Sequence, residues 1–105
     1  MSCDELSVAA PDAANLSSVT LRSDVQNWRD VIARQESGDS RTARWSTGAV
    51  LAIEVRPDGS VARACVARGS DLLSLDRSWL EAITIARFRQ AVVREKGSWL
   101  RYEGR

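Results

Sequence analysis

The apolar positions of this chain follow distinct rhythms, and each rhythm predicts an element. In LDRSWLEAITIARFRQA, residues 75–91, apolar side chains recur at three- and four-residue steps through Trp79, Leu80, Ile83 and Ala86, which predicts an amphipathic helix over 76–87. Asp76 is placed as its N-cap, with Leu75 just outside and Leu80 one turn in, the spacing of a hydrophobic staple. In LAIEVRPDGSVARACVA, Leu51, Ile53 and Val55 alternate with Ala52, Glu54 and Arg56, the period of a strand with one buried face. Pro57-Asp58-Gly59 supplies a turn, so 49–56 and 60–67 read as a hairpin whose apolar face the helix covers. A third strand is predicted over 98–103, with Trp99 and Arg101 on one side and Leu100 and Tyr102 on the other.

Residues 1–22 are rich in Ser, Ala, Asp and Asn and read as a tail or linker, with a short strand in LSSVTLR at 16–22. Ser23 or Asp24 then caps a helix over 24–36, whose face is Val25, Trp28, Ile32 and Val31, and Gly38 ends it. A helix between the second and third strands must return the chain across one sheet face. If the crossover is right-handed and strand 98–103 lies beside strand 49–56, it runs parallel to strand 60–67 with one strand between them, which leaves 60–67 and 98–103 as the sheet edges. The predicted architecture is a two-layer α+β domain over 23–105, with a three-stranded mixed sheet packed by helix 76–87 and an extra N-terminal helix.

The order of strand, Pro-Asp-Gly turn, strand, a loop ending in Leu72-Leu73-Ser74-Leu75-Asp76-Arg77, and a helix running into Arg87-Phe88-Arg89 resembles the C-terminal domain of TonB-type energy transducers, the TonB/TolA-type fold. The resemblance spans roughly Thr47 to Ala91, under half the chain, and is most specific at Leu75-Asp76-Arg77, Leu80-Glu81-Ala82 and Arg87-Phe88-Arg89. It departs from the family in three places. No Tyr-Pro pair precedes the first strand, the glycine that opens that strand stands one place late at Gly48, and Gln90 replaces the proline after Arg-Phe-Arg.

Charge and chemistry narrow the function. The chain has 105 residues, enough for one modest core, and its 15 basic against 14 acidic residues leave a net charge of +1, without the electrostatic footprint of a general nucleic-acid binder. Fourteen of the basic residues are arginine, a bias that fits a GC-rich genome as readily as an interface. No apolar run approaches a bilayer span, and Met1-Ser2-Cys3-Asp4-Glu5 lacks the basic start and apolar core of a signal peptide. A full energy transducer adds an inner-membrane anchor and a Pro-rich spacer, so membrane attachment is expected only through an N-terminal anchor outside this sequence; the alternative is a stand-alone relative.

Histidine is absent, which removes Ser-His-Asp and Cys-His machinery and histidine metal sites. Cys65 lies mid-strand, where a small hydrophobe is the plainer reading than a nucleophile. Paired carboxylates among Asp71, Asp76 and Glu54 have plainer roles as loop residue, N-cap and solvated strand face, and Asp58-Gly59 is a turn rather than the start of a metal loop. The expectation is therefore a protein that is not an enzyme and has no catalytic residue, cofactor or metal.

Three states of Cys3 and Cys65 are open: a disulfide, two unrelated thiols, or a lipid-bearing Cys3. A bridge would close a loop of about 60 residues and stabilise by about 3 to 4 kcal/mol in the chain-entropy model. Of the four tryptophans, Trp28 and Trp79 sit on predicted helix faces, whereas Trp45 falls in a loop and Trp99 on an edge strand, positions suited to binding. The resemblance implies a non-catalytic, periplasmic domain that binds an outer-membrane receptor segment by strand addition. The predicted edge position of strand 98–103 makes Trp99, Leu100, Arg101 and Tyr102 the expected receiving residues. The alternative is a stand-alone inhibitor, immunity-type protein or secretion-system adaptor that occupies a secreted or envelope protein. Open sheet edges also expose the chain to homodimerisation.

Overall fold

The computed structural model describes residues 3, 15–38, 49–70, 73–96 and 99–103, with the backbone alone at 37–38 and 94–96. Trp45, Asp71 and most of the predicted N-terminal tail lie outside the described residues. The architecture is α+β, with β1 (Ser18–Val19), α1 (Leu21–Asp24), α2 (Trp28–Gly38), β2 (Val50–Val55), β3 (Val61–Arg68), α3 (Leu73–Ile83), α4 (Gln90–Lys96) and β4 (Trp99–Glu103) in chain order.

The strands form one mixed sheet in the order β1-β4-β2-β3. β2 pairs antiparallel with β3 on one side, Ala52 opposite Cys65 and Ile53 opposite Ala64, and antiparallel with β4 on the other, Ala52 opposite Arg101 and Ile53 opposite Leu100. The hairpin is as the alternation predicts, and the last strand lies beside β2, the arrangement on which the expected sheet order was conditional. The expected edge at 98–103 is corrected: β1 lies parallel along β4, Ser18 opposite Arg101 and Val19 opposite Tyr102, and the Arg101 N–H donates to the Ser17 carbonyl at 3.0 Å. The N-terminal segment has few apolar residues to bury, yet its backbone completes the pairing that β4 would otherwise leave to solvent.

One face of the sheet carries the core. Leu51, Ile53, Val55, Leu100 and Tyr102 are buried there together with Leu75, Trp79, Ala82 and Ile83 of α3, and Val31 from α2 joins the same cluster. Leu80, expected in the buried stripe, is half-buried at its margin. The second face is not the solvated side that the alternation implies: Val50 and Ala52 are buried too, and Cys65, opposite Ala52, is bonded to Cys3. A segment distant in sequence is thereby fastened to that face.

Two helix boundaries differ from expectation. α3 starts at Leu73 and stops at Ile83, so Asp76 lies inside the first turn instead of capping it. Its carboxylate is buried and accepts the Ser70 N–H at 2.9 Å and the Ser70 hydroxyl at 2.6 Å, which anchors the loop leading in from β3. The helix ends early because the chain beyond it is drawn into extended pairing. Thr84, Ile85 and Ala86 each donate three residues back, and then Arg87 bridges Ser60 while Phe88 bridges Val25. Asn27 holds the same segment from outside the sheet, its amide donating to the Ile85 carbonyl and accepting the Arg87 N–H, both at 2.8 Å.

The second helix likewise begins late. Leu21–Asp24 make a single turn, Val25 is extended and fully buried against the 87–88 segment, and α2 starts at Trp28. A uniform helix over 24–36 would take Val25 out of that pairing. The sequence pattern does not predict α4, because QAVVREK is short and its apolar residues, Ala91, Val92 and Val93, are consecutive and mark no helical period; Val92 is buried.

Candidate functional site

β3 runs for eight residues at the end of the sheet and, among the described residues, pairs with β2 alone; its start is held by the bridge at Ser60 and by the Arg56 guanidinium, which donates to the Val61 carbonyl at 2.9 Å, and no described strand lies along the rest of its outer edge. Its sequence, VARACVAR, is made of small and β-branched side chains with arginine at 63 and 68, and Val61 to Ala64 are half-buried while Ala67 and Arg68 are exposed. The tight turn before it sets its start. Gly59 has φ +90°, its carbonyl accepts the Phe88 N–H at 2.8 Å, and the Asp58 carboxylate accepts the Ser60 N–H and hydroxyl at 2.9 and 2.6 Å. Those two hydrogen bonds hold the Asp58 carboxyl below the usual carboxylate range, which gives Asp58 the structural role that the turn reading assigns to it.

The second sheet face carries a polar row across three strands. Glu54 on β2 stands between Arg63 on β3 and Trp99 on β4. The Arg63 guanidinium forms a two-point pair with the Glu54 carboxylate, at 2.8 and 3.1 Å, and lies 5.5 Å over the Trp99 ring. The hydrogen bond from Arg63 holds the Glu54 carboxyl below its ordinary value, and the same contact raises the Arg63 guanidinium. Next along the row, Arg101 pairs with Glu103, and the buried Arg101 Nε makes no hydrogen bond among the described residues.

The four residues expected to receive a partner are thus divided. Trp99 and Arg101 belong to this half-buried polar row, whereas Leu100 and Tyr102 face the core, 0% and 5% exposed, with the Tyr102 ring 5.7 Å from that of Trp79. A residue in the core layer packs the fold and presents nothing to a partner without opening it. Cys3 and Cys65 are joined, with Cα atoms 4.9 Å apart, so the sulfur of Cys65 is committed to a bond and that of Cys3 is not carrying a lipid. No group of three or more Cys, Asp or Glu side chains gathers among the described residues.

Both β3 and β4 end the three-stranded sheet that periodicity predicts, and the receiving surface is expected on β4. The arginines at 63 and 68, spaced along an otherwise small-residue strand, were the available signal for β3. Comparisons of the chain with protein-family models, curated proteins and solved structures find no match.

Proposed function

We propose that this chain is a non-catalytic protein-binding domain of the bacterial envelope, which takes up an extended segment of a partner protein as a strand added to β3. The observation that carries the reading is the eight-residue β3 at the sheet end, which among the described residues pairs with β2 alone. About half of its residues direct N–H and C=O groups outward, and at about 0.5 to 1.5 kcal/mol for each hydrogen bond a full-length segment gains several kcal/mol. Small side chains along the strand let a second backbone approach, while Arg63 and Arg68 discourage indiscriminate pairing. The Cys3–Cys65 disulfide supports an oxidising compartment such as the periplasm.

The TonB-type resemblance makes the partner an outer-membrane receptor segment and the role force transmission. The absent Tyr-Pro pair favours the second reading, a stand-alone inhibitor, immunity-type protein or adaptor that uses the same edge. The edge reading is tested with an extended peptide selected against the folded chain from a random library. Amide hydrogen exchange should show new protection at alternate residues of 61–68 when that peptide binds. Protection confined to other elements, with 61–68 unchanged, refutes it, and protection that grows with chain concentration in the absence of peptide replaces the partner by a second copy of the chain.

A further inference from the structure

The two faces of β3 differ in chemistry. Ala64 and Val66 stand opposite Ile53 and Leu51, so their side chains lie in the core layer, where both are half-buried and packed against the cluster. α3 packs against β3 on this face. Two contacts orient the helix: Trp79 meets Tyr102 on β4, on the far side of β2, while the Asp76 carboxylate is bonded to Ser70, two residues past the end of β3. Leu73, Asp76 and Leu80 recur at steps of three and four and share one flank of α3. The flank turned toward β3 thus carries Leu73, 73% exposed, and the half-buried Leu80. A segment laid along β3 meets an apolar shelf of Ala64, Val66, Leu73 and Leu80 on the α3 side. The other face is cationic. Arg63 stands opposite Glu54 and Arg68 opposite Val50, so both project away from α3. Arg63 is committed to Glu54, whereas Arg68 is exposed and has no carboxylate partner among the described residues.

We infer that the segment received at β3 alternates apolar and acidic residues, the apolar ones lying over the shelf and an acidic one beside Arg68. The inference rests on strand addition at β3 and adds to it the chemistry of the partner. Successive residues of an added strand point to opposite faces, so a single alternating segment answers both the shelf and the cation. Basic residues in place of the acidic ones would set like charges beside Arg63 and Arg68, and a segment polar on both faces would leave Leu73 in water.

Three end-blocked octapeptides are the probes: valine and glutamate in alternation, valine and lysine in alternation, and a block of valines followed by a block of glutamates. Fluorescence anisotropy of the labelled peptides gives their affinities, and amide hydrogen exchange shows where they bind. The alternating valine-glutamate peptide should bind about tenfold more tightly than either of the others and protect alternate amides of 61–68. Arg68→Gln should cut its preference over the lysine peptide to about threefold or less. Leu73→Ser, an exposed change that leaves the core intact, should weaken the valine-glutamate peptide by about threefold or more. Equal affinities for the three peptides, an undiminished preference in Arg68→Gln, or unchanged binding by Leu73→Ser each overturn the inference. If a library-selected peptide protects 61–68 while these outcomes hold, strand addition stands and only the partner's chemistry is refuted. If no peptide protects 61–68, strand addition falls and the inference falls with it.

Discussion

Tyr102 shows how one side chain serves two demands. Its ring fills the core beside Trp79, and burial pushes its phenol up from the ordinary 10.0 to about 12. In the unfolded chain the phenol ionises near pH 10, so between about pH 10 and 12 the unfolded state has released a proton that the folded state keeps. Stability is then full below that window and falls as pH rises through it, by up to about 2 to 3 kcal/mol. Urea denaturation across this range should show the decline, and Tyr102→Phe should flatten it; a slope that persists in Tyr102→Phe means that another group is responsible. The Glu54–Arg63 pair makes the opposite contribution at the acid end, where its depressed carboxyl loses its hydrogen bond on protonation, but the two groups are partly exposed and solvent screening keeps the effect below about 1 kcal/mol.

The hairpin turn is more than a local reversal of the chain. A Cβ on Gly59 would stand 2.3 Å from the Phe88 carbonyl oxygen, and the +90° φ is one that other residues rarely adopt. The glycine is therefore required twice, once by the turn and once by the segment 87–88 that docks against it. Gly59→Ala should destabilise the fold by at least about 2 kcal/mol in chemical denaturation, while Pro57→Ala at the exposed neighbouring position changes it by less than about 1 kcal/mol. Equal small effects at the two sites would mean that the 87–88 segment is not seated on the turn in solution. The same docking explains why α3 ends at Ile83: continuing the helix to Arg87 would forfeit the bridges to Ser60 and Val25 and take Phe88, 2% exposed, out of the core.

Across the whole molecule, the disulfide joins residues 62 apart and fastens the N-terminal region to the strand at the sheet's far end. Closing so long a loop restrains the unfolded chain, and breaking the bond should lower stability by about 3 to 4 kcal/mol. Urea denaturation with and without reductant measures this, and Cys3→Ser should reproduce the loss without reductant. A loss below about 1 kcal/mol would show that the bridge does not restrain the chain. The N-terminal region is thus used at both ends of the sheet, Cys3 at β3 and Ser18–Val19 at β4. Among the described residues the sheet ends in β3 on one side and in the two-residue β1 on the other.

Periodicity alone determined the hairpin, its turn, the last strand and the core face of α3. Each of these is a local pattern: alternation in Leu51, Ile53 and Val55, a Pro-Asp-Gly turn, and three- and four-residue steps through Trp79 and Ile83. That β4 lies beside β2 is a matter of strand order, which periodicity does not give and the tertiary pairing decided. What only the tertiary structure decided depends on residues far apart. Asp76 is buried because Ser70 folds back onto it, Val25 is extended because Phe88 pairs with it, and Ala52 is buried on a face that its own strand marks as solvated, beside the cysteine that Cys3 reaches. The candidate site divides in the same way. β3 was legible as a strand, but that β4 is covered was settled by two backbone pairs from Ser18 and Val19, and the shelf beside β3 draws on a flank of α3 that Asp76 turns toward it through Ser70. Hydrogen bonding between main chains asks little of side chains, so a sequence marks poorly where it occurs.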